Sequence, residues 1–164
     1  MSTMTEAQSR SLFARAGARM LRSRALMRTP IWIYKARAGA LLGSRLLMLE
    51  HIGRKSGARR YAVLEVLDHP DPDTYLIASG LGRKAQWFRN IRANPEVRVY
   101  AGSSAPTAAT ARILDQDEAD RTLAAYRSRH AGTWEKLKPI LEQTLDTEVT
   151  DTGTPVPIVE LRLS

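Results

Sequence analysis

From Leu46 onward the sequence is cut into short apolar stretches by turn-forming residues, and this spacing constrains the fold more than any other feature of the chain. Stretches of this kind suit an antiparallel sheet, because parallel strands need crossovers of about a dozen residues or more between them. Leu46 to Ile52 reads as a strand, Gly53–Arg59 as a turn and Arg60 to Leu67 as the returning strand, which the run His69-Pro70-Asp71-Pro72-Asp73 is expected to stop. Thr74 to Ser79 follows as a third strand. A helix around Lys84 to Ala93 ends at Asn94-Pro95, since proline disfavours helical geometry in the residue before it. Val97 to Ala101 and Thr107 to Leu114 read as a hairpin across Gly102-Ser103-Ser104. Asp115 with Glu118 three residues on predicts a capping box that opens a helix to about His130, and Thr133 is expected to cap a second helix from Trp134 to Leu145. Val156 to Leu163, with Pro157 near its start, closes the chain as an edge or barrel strand.

The first part of the chain differs. Thr5 to Arg28 places Leu12, Phe13, Ala16, Met20 and Met27 on one helical face and Arg15, Arg19 and Arg22 on another. Two readings stay open for this basic amphipathic helix: a peripheral contact with an anionic membrane surface, or the solvated face of a packing helix. A short helix from Ile31 to about Ala38 is expected next. Arginines interrupt the start of the chain, and Arg45 breaks the apolar run from Ala40 to Leu49, so neither a signal peptide nor a membrane span is expected and the location is read as cytoplasmic. With 164 residues, 43% of them hydrophobic, the chain can build one core, and it divides into a basic segment, 1–29, and a folded domain, 30–164.

Cysteine is absent, which excludes thiolate nucleophiles, disulfides and cysteine-held metal clusters. Redox chemistry here needs a borrowed cofactor. Residues 1–60 carry 13 Lys and Arg against two acids, a balance of +11, whereas residues 61–164 carry 12 against 15, a balance of −3. Positive charge gathered in one third of the chain suits an anionic ligand, an anionic membrane or nucleic acid.

The densest part of that charge is Gly53-Arg54-Lys55-Ser56-Gly57-Ala58-Arg59-Arg60, four cations and a hydroxyl on one strand-to-strand turn. It can offer amides and cations to phosphate or carboxylate groups, or it can be a solvated hairpin tip. It is not a P-loop, because Arg54 stands where that motif has glycine and a strand follows. Ala78-Ser79-Gly80-Leu81-Gly82-Arg83-Lys84 then feeds a helix whose free amides suit an anion or an electron-rich ring edge. Trp87 and Phe88, just inside that helix, read as core anchors on local grounds. Glu65, on an otherwise apolar strand, is the one carboxylate placed for a buried role, either as a perturbed acid or as a salt-bridged structural residue. His51, His69 and His130 lack metal-ligand spacing, no Gly-x-Ser-x-Gly elbow exists, and the scattered aromatics offer no base-stacking platform, so neither a metal site nor nucleic-acid binding is expected.

Together these segments resemble the actinobacterial-type deazaflavin-dependent oxidoreductases, a nitroreductase-named family related to flavin-binding oxidases. The resemblance rests on an apolar strand leading into Gly-Arg-Lys-Ser-Gly-x-x-Arg, an Ala-Ser-Gly strand exit, and Trp87-Phe88-Arg89-Asn90-Ile91-Arg92-Ala93-Asn94-Pro95-Glu96-Val97 in the family's order and spacing. It implies an α+β protein, a split β-barrel of about six mostly antiparallel strands with helices outside, monomeric or homodimeric, using coenzyme F420 (an 8-hydroxy-5-deazaflavin) or alternatively FMN. Arg54, Lys55, Ser56 and Arg60 would then hold the coenzyme's phosphate and acidic tail. Ala78, Ser79 and Gly80 would lie along its ring, Arg83 and Lys84 near the phosphate side, Trp87 and Asn90 along the wall, and Val63 and Leu64 beneath the ring. The implied reaction is hydride transfer from the reduced coenzyme to a quinone, nitro compound or activated alkene, the alternative being a non-catalytic coenzyme or flavin carrier. In the quinone-reducing members an aromatic residue follows the basic turn and a tyrosine cluster lies late in the chain. Here Glu65 takes the aromatic's place, and Tyr126 and Trp134 are what the late region offers for a substrate.

Overall fold

The computed structural model describes residues 45–164; the segment 1–29 and the short helix after it lie outside the described residues. Strand β1 (Leu46–Ile52) turns through residues 53–58 into β2 (Arg59–Asp71), and a two-residue turn leads into β3 (Thr74–Ala78). A 3₁₀ turn (Gly82–Lys84) and helix α1 (Gln86–Ala93) precede the hairpin β4 (Glu96–Ala101) and β5 (Thr107–Ile113). Helices α2 (Gln116–Arg129) and α3 (Ala131–Leu145) then lead to the last strand, β6 (Ile158–Leu163).

The six strands close into a barrel in the order β1-β2-β3-β6-β5-β4, every pair antiparallel. β6 is a full member of the wall, paired with β3 on one side and β5 on the other, so no strand is left as an edge. Strand alternation sends Leu47, Leu49, Leu64, Ile77, Val97, Val99, Ala109, Val159 and Leu161 into one buried cluster with Trp87, Phe88 and Ile91 of α1, which plugs one end of the barrel. A second cluster, with Leu67, Leu123, Tyr126, Leu141, Val156 and Ile158, fills the space between the outer wall and the helices α2 and α3.

Two boundaries differ from the sequence reading by more than two residues. β2 runs on through His69 and Pro70 to Asp71. Pairing with β1 has already ended at Glu65, and the ladder to β3 is shifted between Asp68 and Asp71, so Pro70 removes no hydrogen bond that the sheet needs. Thr133 lies inside α3 and caps nothing: the His130 carbonyl accepts from the Trp134 amide at 2.8 Å, and the helix starts three residues earlier. The capping box at Asp115 forms as read. The Asp115 carboxylate accepts from the Glu118 amide at 2.9 Å, and the Glu118 carboxylate accepts from the Asp115 amide at 3.0 Å. Among the described residues no helix is long and apolar enough to cross a membrane, and no group of three or more His, Cys, Asp or Glu could hold a metal ion.

Candidate functional site

The β1–β2 turn is narrow. The Gly53 amide donates to the Ala58 carbonyl and the Gly57 amide to the Gly53 carbonyl, both at 2.8 Å, and Gly57 takes the left-handed conformation (φ +67°) that side chains other than glycine's disfavour. A Cβ on Gly53 would stand 2.7 Å from Ser56 Oγ and 2.8 Å from Arg60 Nε, so glycine is what lets these two polar groups converge over the backbone. Ser56 Oγ also accepts from the Ala58 amide at 3.3 Å.

Helix α1 anchors this turn from inside. Asn90 Oδ1 accepts from the Arg54 amide at 3.1 Å and from its guanidinium at 3.0 Å, and Gln86 Oε1 accepts from the same guanidinium at 3.0 Å. Asn90 is almost wholly buried, and its Nδ2 faces Nδ1 of buried His51 at 3.1 Å. Burial, followed by the nearby Arg60 cation, lowers the His51 pKa to about 4. Arg54 is thus tied to the start of α1, a helix with no side-chain N-cap, and the 3₁₀ turn just before it carries exposed Arg83 and Lys84. Lys55, Arg60, Arg83 and Lys84 have no carboxylate in ion-pair range among the described residues, whereas Arg45, Arg59, Arg112, Arg127, Arg129 and Arg162 each have one. The turn end of the barrel therefore carries positive charge that the folded chain does not cancel.

The strand exit contributes shape. Ser79 is fully buried, with its hydroxyl donating to the Gly82 carbonyl at 2.7 Å and its amide to the Pro157 carbonyl. Gly82 has φ +66°, and a Cβ there would stand 2.8 Å from Leu145, while Gly80 sits within contact of Leu141. Helix α3 is therefore laid directly over this turn. Trp87 is buried edge-on against Phe88 in the barrel core. Leu64 faces the barrel interior, and alternation puts Val63 on the opposite face, so the two do not line one surface.

Farther along β2 the structure joins Glu65 to Tyr126. The Tyr126 hydroxyl donates to Glu65 Oε1 at 2.8 Å, and Arg45 reaches the same oxygen at 3.2 Å. Burial first, and then the hydrogen bond to Glu65, push the Tyr126 pKa up to about 12. His130 packs its ring 4.9 Å from that of Tyr126. Trp134 is half-buried in the outer cluster with Arg127 over its ring, and is not drawn into the Glu65 group.

Sequence reasoning missed two groups. Glu50 is buried more deeply than Glu65; it accepts from the Tyr100 hydroxyl at 2.9 Å and faces Arg59 at 3.6 Å. Its place in the apolar run Leu46–Ile52 was the available signal. His51, weighed only as a metal ligand, is the inner end of the Asn90 bracket.

A family model described as F420H(2)-dependent quinone reductase matches residues 26–145. No curated protein matches the chain. Among solved structures, one described as an F420-H2 dependent reductase (FDR-A) is 21% identical with a TM-score of 0.51, covering 72% of this chain and 94% of that one. Another, described as a domain-swapped dimer, is 21% identical with a TM-score of 0.53, covering 82% and 94%. A putative pyridoxamine 5'-phosphate oxidase from Listeria innocua is 12% identical with a TM-score of 0.50, covering 80% and 94%. These structures share the split-barrel architecture.

Proposed function

The chain belongs to the F420H(2)-dependent quinone reductase family, and we propose that its basic turn, Gly53–Arg60, is the anion site for the deazaflavin coenzyme. The protein is an F420-dependent reductase. The observation that carries the site assignment is the set of cations left without carboxylate partners around the turn, above a glycine that a Cβ would fill. A coenzyme with a phosphate and an acidic tail fits such a surface. Lys55, Ser56 and Arg60 would take the phosphate and tail, Arg54 would shape the turn from the Asn90 side, and Arg83 and Lys84 would flank it from the 3₁₀ turn. Ala78, Ser79 and Gly80 offer a small-residue exit beside which a flat ring can lie.

Bound in its reduced form, the coenzyme supplies the hydride. The chain's own part is to bind and orient it and to select what may stand opposite. We place the acceptor end at Glu65. Its Oε1 is taken by both Tyr126 and Arg45, which leaves Oε2 to accept from a substrate. A carboxylate there favours electron-poor acceptors with a hydroxyl or N–H donor beside the reducible group. The Tyr126 proton stays on its oxygen across the working range, so the phenol holds the carboxylate in place.

The test is a fluorescence titration with oxidised deazaflavin coenzyme beside FMN, followed by oxidation of the reduced coenzyme with a hydroxynaphthoquinone, a methylnaphthoquinone, a nitroarene and an enone. Selective coenzyme binding and preference for the hydroxyquinone, lost in Glu65→Gln, support the reading. Equal binding of FMN, or no preference among acceptors, overturns the corresponding half.

A cytoplasmic enzyme and a homodimer are the setting and assembly we read, the second from the dimer description of one structural neighbour. Sedimentation tests the assembly. Contact of the basic segment 1–29 with anionic membrane is tested by vesicle partitioning with and without residues 1–28.

A further inference from the structure

Bond by bond, the bracket behind the basic turn admits one arrangement of donors and acceptors. The Arg54 amide can only donate, so the Asn90 atom facing it at 3.1 Å must be the carbonyl oxygen. That choice turns the Asn90 amide nitrogen, which also can only donate, toward His51 Nδ1 at 3.1 Å. His51 Nδ1 must then accept, which requires a neutral imidazole carrying its proton on Nε2. The surroundings agree: His51 is buried on β1, Arg60 stands opposite it on β2, and the Arg54 guanidinium lies beyond Asn90 on the α1 side, so both of these charges are positive.

We infer that His51 is a positioning residue for the anion site: by accepting from Asn90 Nδ2 it fixes the asparagine amide so that Oδ1 holds the Arg54 amide and guanidinium, and the turn keeps one shape. The inference rests on the coenzyme reading of the turn given above. Without the imidazole acceptor, Asn90 Nδ2 is buried and unpaired, and the side chain can relieve that only by leaving the bracket or by turning over. A flipped amide would set Nδ2 against two Arg54 donors, and the turn would come loose from α1. The relay acts on Arg54, not on Lys55 or Arg60, and leaves the barrel interior untouched.

The experiment compares the wild-type protein with His51→Leu, of similar volume and without an acceptor, and His51→Asn, whose Oδ1 restores an acceptor near the Nδ1 position. Three readouts are taken: the His51 tautomer by nitrogen NMR, hydrogen exchange of the Arg54 amide, and the Kd of oxidised deazaflavin coenzyme. The expected result is an Nε2–H tautomer from pH 6 to 8 in the wild type, and an Arg54 amide that exchanges faster in His51→Leu but is protected again in His51→Asn. Coenzyme binding should weaken about tenfold in His51→Leu and within about threefold in His51→Asn, and the loss should shrink when Arg54→Ala, which keeps the amide but not the guanidinium, is already present. An Nδ1–H tautomer, unchanged Arg54 exchange in His51→Leu, or a binding loss undiminished on the Arg54→Ala background would overturn the inference. Wild-type protein that shows the tautomer and the protected amide but binds no coenzyme would instead overturn the coenzyme reading, and with it the assignment of the relay to that ligand. His51→Leu failing to fold leaves the tautomer of the wild type and the rescue in His51→Asn to decide.

Discussion

The start and the middle of β2 hold charge in opposite ways. At the basic turn, neutral groups do the holding: Asn90 and Gln86 offer carbonyl oxygens to Arg54, buried His51 steadies Asn90, and Lys55 and Arg60 keep their charge uncancelled. At Glu65 the charge is closed within the protein, because a phenol and a guanidinium share one carboxylate oxygen. Uncancelled surface charge costs folding free energy through self-repulsion, and on the reading proposed above the coenzyme's anionic groups offset that cost at the turn. A cancelled charge can select a partner but cannot supply much attraction. On the reading proposed above, the turn serves affinity and Glu65 discrimination.

The strongest way to break this contrast is to remove the cations. Lys55→Ala combined with Arg60→Ala deletes two charge-assisted contacts of about 1.5–3 kcal/mol each, so the coenzyme Kd should rise at least about a hundredfold while Tm stays near that of the wild type. Fluorescence titration checks it. A change under about threefold would mean that the turn serves some other anion.

The second test uses pH to sharpen the neutral character of the turn end. Folded His51 takes up its proton only near pH 4, whereas an unfolded histidine does so near 6.5. Between these values the unfolded chain binds more protons, so stability is lost as pH falls from about 6.5 to about 4, and the His51 contribution is flat above and below that window. The loss should approach about 3 kcal/mol, since each pH unit between the two values is worth about 1.4 kcal/mol. Glu118, Asp120 and Asp151 are held below their ordinary values chiefly by Arg112, the Thr154 amide and Arg127, so their contributions are present above the ordinary carboxylate range and fade below about pH 4.5. The upper part of the window belongs to histidine. Thermal melts taken from pH 7 to pH 4 should show the wild type losing stability relative to His51→Asn across that window; parallel curves would show that His51 titrates as an exposed group.

How much of this was legible in the sequence depends on distance along the chain. The basic turn was readable because its glycines and cations are contiguous, and β1 was found with its observed ends because apolar residues run from Leu46 to Leu49 and return at Ile52 just before Gly53. The bracket was not readable, since His51 and Asn90 lie 39 positions apart and meet only when α1 plugs the barrel. Asn90 entered through family resemblance, and His51 only as a metal ligand that its spacing ruled out. The same limit applies to Glu50, whose partner Tyr100 comes from the neighbouring strand β4. The pairing of Glu65 with Tyr126 bridges 61 positions, and each residue was picked out without the other.

The third test falls on the closed end. Tyr126→Phe leaves the buried ring in place but removes the donor to Glu65, and should cost about 1–2 kcal/mol, or a Tm drop of roughly 2–8 °C. Coenzyme Kd should not move, while acceptor KM should. A coenzyme effect as large as that of the cation pair would join the two ends into one site.

The smallest effect separates the two supports of Glu65. Arg45 is more than half exposed, at 57%, so solvent screens its pairing with the carboxylate, and Arg45→Ala should cost about 0.5 kcal/mol or less. Tyr126 is buried at the other side of the same oxygen, where a lost hydrogen bond has no water to replace it. Denaturant melts of the two single variants and the double variant measure the division. If Arg45→Ala costs as much as Tyr126→Phe, Glu65 is held by charge and the closed end depends on ionic strength; if it costs little, a neutral buried group holds the charged one here too. The start and the middle of β2 would then each fix a charge through a buried neutral partner, and the difference between them would reduce to whether a second charge stands near enough to cancel the first.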